Sequence, residues 1–93
     1  MSEQDNAEVT ALKALAWLVS NEDLSPVFLN SSGLSEAELR ARAGETELLG
    51  SVLDFLLMDD AWVMAFCDSH ELRYETVMRA RAVLPGGEQV HWT

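Results

Sequence analysis

Cys67, His70 and Glu71 stand at positions i, i+3 and i+4, a spacing that brings side chains to one side of a helix. A thiolate, an imidazole and a carboxylate are all zinc donors, but a zinc site wants about four ligands. The chain's one other histidine, His91, lies on the tail. The same residues could be imagined as a Cys–His nucleophile pair. A reactive thiolate, however, needs an electropositive setting, and Asp68 and Glu71 supply the opposite. Free cysteine also serves as a small core hydrophobe. The expectation is therefore no catalytic residue, no metal and no cofactor. A metal-dependent or enzymatic use of Cys67, His70 and Glu71 is the alternative. No Gly-x-Ser-x-Gly, phosphate loop or dinucleotide fingerprint occurs in the chain. Gly86-Gly87 follow a helical pattern rather than open one, so they read as a stop and not as a phosphate cradle.

The acidic pairs Glu22-Asp23 and Asp59-Asp60 could suggest acid–base chemistry or a divalent ion. Both fall at predicted helix starts, where carboxylates cap free N–H groups and complement the helix dipole. No loop carries the ligand spacing of a calcium-binding hand. The arginines also have local explanations. Glu36–Arg40, Glu38–Arg42 and Glu75–Arg79 are i,i+4 pairs in the favourable order. The formal net charge of −10 opposes docking on a phosphate backbone or an anionic bilayer. A nucleic-acid-binding regulator is accordingly the disfavoured third reading, and neither nucleic acid nor membrane is expected as a partner.

Two features favour contact with another protein. Trp17 falls off the main apolar face of the first helix, and with Met58 and Trp62 it could form an exposed patch or a dimer contact, unless neighbouring helices cover it. Tail residues His91 and Trp92 could anchor in a groove of a partner or of the domain itself. The candidate partner-binding residues are thus Trp17, Trp62, His91 and Trp92. The acidic balance suits a basic protein partner, and the chain itself is expected as a monomer or weak homodimer.

These side chains must be positioned by helices. Glycine falls between apolar-periodic segments, and no stretch sustains a strand-like alternation. The chain, 93 residues, is the size of one domain, 1–93. Hydrophobic residues make up 48% and charged residues 24%, a globular balance. One cysteine excludes an intramolecular disulfide and fits a reducing cytoplasm. Met1 to Glu8 carry no positive charge, so no secretory leader is expected. The longest apolar run, Ala61 to Cys67, is far short of the roughly 18 residues that span a bilayer.

Six helices are predicted, over about 7–20, 22–30, 36–43, 47–58, 60–69 and 74–84. The first is capped by Asp5 or Asn6, with Asp5 and Glu8 as a capping box and Leu12, Leu15, Ala16 and Val19 along one face. The second starts either at Asn21 or at Ser25, with Pro26 in the first turn. The third has the clearest start: Ser35 and Glu38 form a capping box, and Leu34 and Leu39 a hydrophobic staple. The fourth is apolar around most of its circumference and belongs at the centre. Asp59 caps the fifth. The sixth stops at Pro85-Gly86-Gly87, and its capping position, Arg73, is a poor cap.

A displacement of 38 residues lays Leu15 on Leu53, Leu18 on Leu56, Phe28 on Phe66, Asn21 on Asp59 and Leu34 on Leu72. After one inserted residue, Arg40-Ala41-Arg42-Ala43 falls on Arg79-Ala80-Arg81-Ala82. Matched caps and staples go beyond what two amphipathic helices share by chance. The expected fold is all-α: a bundle of about six short helices formed by two tandem pseudo-repeated units, 10–44 and 48–82, with a tail at 85–93. Two units are fewer than an open solenoid needs, so a closed pseudo-twofold bundle is expected.

The runs Ala14-Leu15-Ala16-Trp17-Leu18, Leu39-Arg40-Ala41-Arg42-Ala43 and Leu53-Asp54-Phe55-Leu56-Leu57 form a pattern with Leu84-Pro85-Gly86-Gly87 and the His91-Trp92-Thr93 end. That pattern resembles a family of small bacterial proteins catalogued as a domain of unknown function. The resemblance spans the chain from about Ala7 onward. It implies a helical fold and a bacterial cytoplasmic setting, and it implies no activity. The functional expectation is a non-catalytic protein-interaction or adaptor module.

Overall fold

The computed structural model describes residues 2–84, which form six helices: α1 (Glu3–Ser20), α2 (Ser25–Ser32), α3 (Glu36–Ala41), α4 (Thr46–Leu57), α5 (Asp60–His70) and α6 (Tyr74–Val83). Local chemistry sets most of their ends. Ser35 Oγ accepts from the Glu38 N–H at 3.1 Å, and the Glu38 carboxylate accepts from the Ser35 N–H at 2.9 Å, which completes the expected capping box. Those bonds hold the Glu38 carboxyl below its ordinary pKa, with the Ser35 backbone bond as the largest cause. Asp59 caps α5 by accepting from the Ala61 N–H. Asn21 makes an equivalent bond to the Asp23 N–H, after which α2 itself begins at Ser25 with Pro26 in its first turn.

The start of α1 differs from expectation. The helix begins four residues earlier, at Glu3, and Ser2 caps it by accepting from the Asp5 N–H. An upstream serine of ordinary capping chemistry therefore takes the place of the Asp5–Glu8 box.

Two helices end on a left-handed residue. Gly33 (φ 76°) closes α2 and Glu71 (φ 55°) closes α5, each with its N–H on the carbonyl four residues earlier. Leu72 N–H reaches the same Cys67 carbonyl as Glu71 does, which is the six-to-one closure of a Schellman turn. Glycine adopts this conformation without strain, whereas glutamate does not.

The buried stripe of α1 is Ala7, Thr10, Ala11, Ala14, Leu15 and Leu18, a complete i, i+3, i+4 face. This corrects the expected face: Leu12 is 42% exposed and Ala16 faces solvent. Small alanines won because they admit a neighbouring helix closely. Both α6 and α4 pack along α1. Helix α4 is central as expected, burying Leu48, Leu49, Gly50, Val52, Leu53, Phe55 and Leu56. Phe66 of α5, Val77 and Ala80 of α6, Phe28 of α2 and Leu39 of α3 close the same core.

The 38-residue register has local counterparts. Gly33 and Glu71 are both C-caps, and Phe28 and Phe66, and Leu39 and Val77, are both buried, but Asp59 caps the start of α5 while Asn21 ends α1 and α2 starts after Leu24. The packing of the two halves is not twofold. Helix α6 packs along both α1 and α4, and α3 has no comparable docking on either. Helix α3 is six residues long and buries Leu39 alone, while α6 is ten long and presents Val77 and Ala80.

Arg81 ties α6 to α4. Its guanidinium donates to both carboxylate oxygens of Asp54, through Nε to Oδ1 and at 2.8 Å through a terminal nitrogen to Oδ2. The Arg81 side chain is 12% exposed. Leu84 closes α6 in extended backbone, φ −79° and ψ 155°, the conformation that a following proline requires. The radius of gyration, 12.3 Å, is that of a tightly packed chain of this size. No helix among the described residues is long and apolar enough to cross a membrane.

Candidate functional site

The Cys67, His70 and Glu71 trio does not converge. Cys67 is buried in the core. Burial first, then the carboxylates of Asp68 and Glu75, pushes its thiol pKa up, away from thiolate chemistry. His70 lays its ring against Phe66 at 4.8 Å between centroids, and its Nδ1 lies 3.4 Å from Ser69 Oγ. Glu71 is the left-handed residue that ends α5. Among the described residues, no three His, Cys, Asp or Glu side chains gather closely enough to hold a metal ion.

Trp17 and Trp62 sit at the edge of the core. Trp17 is half-buried and meets Phe66 edge-on at 5.9 Å. Trp62 is half-buried and stacks on Phe55 at 4.9 Å, while Phe28 meets the same Phe55 edge-on at 5.1 Å. Each of these two rings therefore contacts an aromatic side chain of the core. His91 and Trp92 lie outside the described residues.

Met58, by contrast, is 73% exposed, the most exposed large hydrophobic side chain among the described residues. It lines a groove of about 530 Å³ that runs between α4 and the α2–α3 segment. Phe28, Leu34, Leu48 and Phe55 are its apolar lining, and Arg42, Glu47, Asp54 and three serines also line it. Sequence reasoning placed Met58 near the tryptophans but did not find this groove, because its walls come from two helices, α2 and α4, and from loop residues between them.

Charge is distributed less locally than the i,i+4 spacing implied. Glu36 and Arg40 pair at 2.8 Å as expected. Arg42 instead pairs with Glu45 at 2.9 Å, because the Glu38 carboxylate is held by the capping box. That contact raises the Arg42 pKa. The expected Glu75–Arg79 pair does not form among the described residues. Tyr74 donates its hydroxyl to Asp60 at 2.9 Å, joining the starts of α6 and α5, and the bond raises the tyrosine pKa.

A second cleft, of about 560 Å³, lies between α1 and α6. Ala7, Thr10 and Ala80 are buried beneath it, and Val9 and Val83 are apolar walls.

A family model described as "Protein of unknown function (DUF3572)" matches residues 4–87. No curated protein and no solved structure matches the chain significantly.

Proposed function

We propose, from the premise that the chain belongs to the DUF3572 family, that it is a non-catalytic protein-interaction module whose α2–α4 groove receives an apolar side chain from a basic segment of a partner. One observation carries this reading: Met58, 73% exposed, lines a groove that also contains Phe28, Leu34, Leu48 and Phe55. An unbranched, polarisable methionine adapts to varied partner surfaces. The aromatic pair of Phe28 and Phe55 is a packed base for an inserted side chain.

The preference for a basic partner follows from charge. A net −10 steers cationic surfaces toward the chain and repels acidic ones. At the groove itself Glu47 is the carboxylate without an ion pair among the described residues, since Arg81 holds Asp54 and Glu45 holds the neighbouring Arg42. The tail residues His91 and Trp92 extend this reading as a second contact with the same partner, and a cytoplasmic bacterial setting is part of it.

A photo-reactive amino acid at position 58, installed in the source cell, tests the reading, with one at position 4 as a control. The expected result is one discrete adduct from position 58 alone, whose crosslinked peptide is rich in Lys and Arg. Equal adducts from both positions, or none from position 58, would overturn it.

A further inference from the structure

The chain has six cations, and they do not share one fate. Arg40, Arg42 and Arg81 each hold a carboxylate. Lys13, Arg73 and Arg79 form no ion pair among the described residues. All three line the α1–α6 cleft. In a chain with sixteen carboxylates, half of the positive charge is thus left uncommitted around one concavity.

We propose that the α1–α6 cleft binds a small phosphate-bearing molecule through Lys13, Arg73 and Arg79. Two guanidiniums and an ammonium suit a compact dianion, since arginine presents paired donors to phosphate oxygens. Arg73 stands at the capping position of α6 without a side-chain cap bond, so its guanidinium is not engaged with the helix end. The volume of about 560 Å³ is that of a small-molecule site. Val9, Val83 and the alanine floor accommodate an aliphatic remainder of the ligand. No aromatic ring lines the cleft, so a stacked nucleobase is not the remainder expected. The overall charge of −10 repels polyanions such as nucleic acid or an anionic bilayer, which leaves a small free solute as the occupant.

Glu3 and Glu75 also line the cleft and oppose an anion. This gives the test a variant in each direction. Inorganic phosphate is titrated into the full-length protein, and amide chemical shifts are followed against sodium chloride at equal ionic strength. The expected response saturates with a dissociation constant on the order of 1 mM and is confined to residues 3–13 and 73–83. The double variant Arg73→Gln, Arg79→Gln is expected to weaken it at least tenfold, and Glu75→Gln to tighten it several-fold. Circular dichroism confirms that these variants of exposed residues remain folded. A response that sodium chloride reproduces, or one that the double variant leaves unchanged, would overturn the proposal.

Discussion

Arg73→Ser gives α6 the kind of start that α3 already has. The backbone needs no change: Arg73 sits at φ −91°, ψ 152° and Ser35 at φ −82°, ψ 166°. A serine hydroxyl at 73 would accept from the Thr76 N–H, as Ser35 accepts from Glu38. A serine cap is worth about 1 kcal/mol over a residue that cannot cap. Part of that is already present, because the Thr76 N–H reaches the Arg73 carbonyl at 3.0 Å. Removing a cation from the positive end of the helix dipole acts in the same direction. The expected gain is roughly 0.5–1 kcal/mol, which raises the melting temperature by about 2–8 °C in a domain of this size. Thermal melts followed by circular dichroism measure it, with Ser35→Ala as the reverse control, losing about 1 kcal/mol. Hydrogen exchange at residues 74–76 should be faster than at 36–38 in the parent and slower in the variant than in the parent. An unchanged or lowered melting temperature would refute the reasoning. It would mean that Arg73 stabilises the fold through contacts worth more than a cap.

Other expectations follow from the same structure. Glu71→Gly should stabilise by about 1 kcal/mol, since the left-handed residue closing α5 would lose its side-chain strain, and Gly33→Ala should cost a similar amount; urea midpoints measure both. Phe66→Ala should cost about 3–5 kcal/mol, because Phe66 is fully buried between Trp17 and His70; a chemical denaturation midpoint close to the parent's would contradict its place in the core. Cys67 sets a pH dependence. Its folded pKa lies above the ordinary 9.0, so its contribution is intact below that value and is lost as pH rises through the folded pKa. Stability should therefore be level from pH 7 to 8 and decline above about pH 9. Cys67→Ala should reduce the early part of that decline, leaving the part due to Tyr74, whose pKa is also raised.

Much of the fold was legible because short-range chemistry fixes helix ends. Ser35, Asp59 and Gly33 act within four residues of themselves. The central place of α4 was equally plain from an apolar surface that no single neighbour could cover. The face of α1 was misread for a physical reason. Ala7, Ala11 and Ala14 carry little hydrophobic weight each, but they allow α6 to approach where Leu12 would not. Contacts between distant segments were not legible at all. Arg81 reaches Asp54 across 27 residues of sequence, and Lys13 meets Arg73 and Arg79 at one cleft from opposite ends of the chain. The i,i+4 rule gave Arg79 a nearer partner in Glu75 and gave Arg73 and Arg81 none; of its three pairs, Glu36–Arg40 is the one that forms among the described residues. Of the patch expected from Trp17, Met58 and Trp62, Met58 is exposed, whereas Trp62 is half-buried and stacks on Phe55.

The most direct test of the interaction reading is calorimetric titration of the basic segment captured at position 58 into the parent protein and into Met58→Ser, each at low and at physiological salt. The expected result is a loss of at least tenfold in affinity for Met58→Ser at both salt concentrations. In the parent, affinity should also fall as salt rises, since a net charge of −10 contributes to the attraction. Equal affinity of the parent and Met58→Ser would contradict the groove as the contact. Affinity that does not respond to salt would contradict a partner chosen by its positive charge.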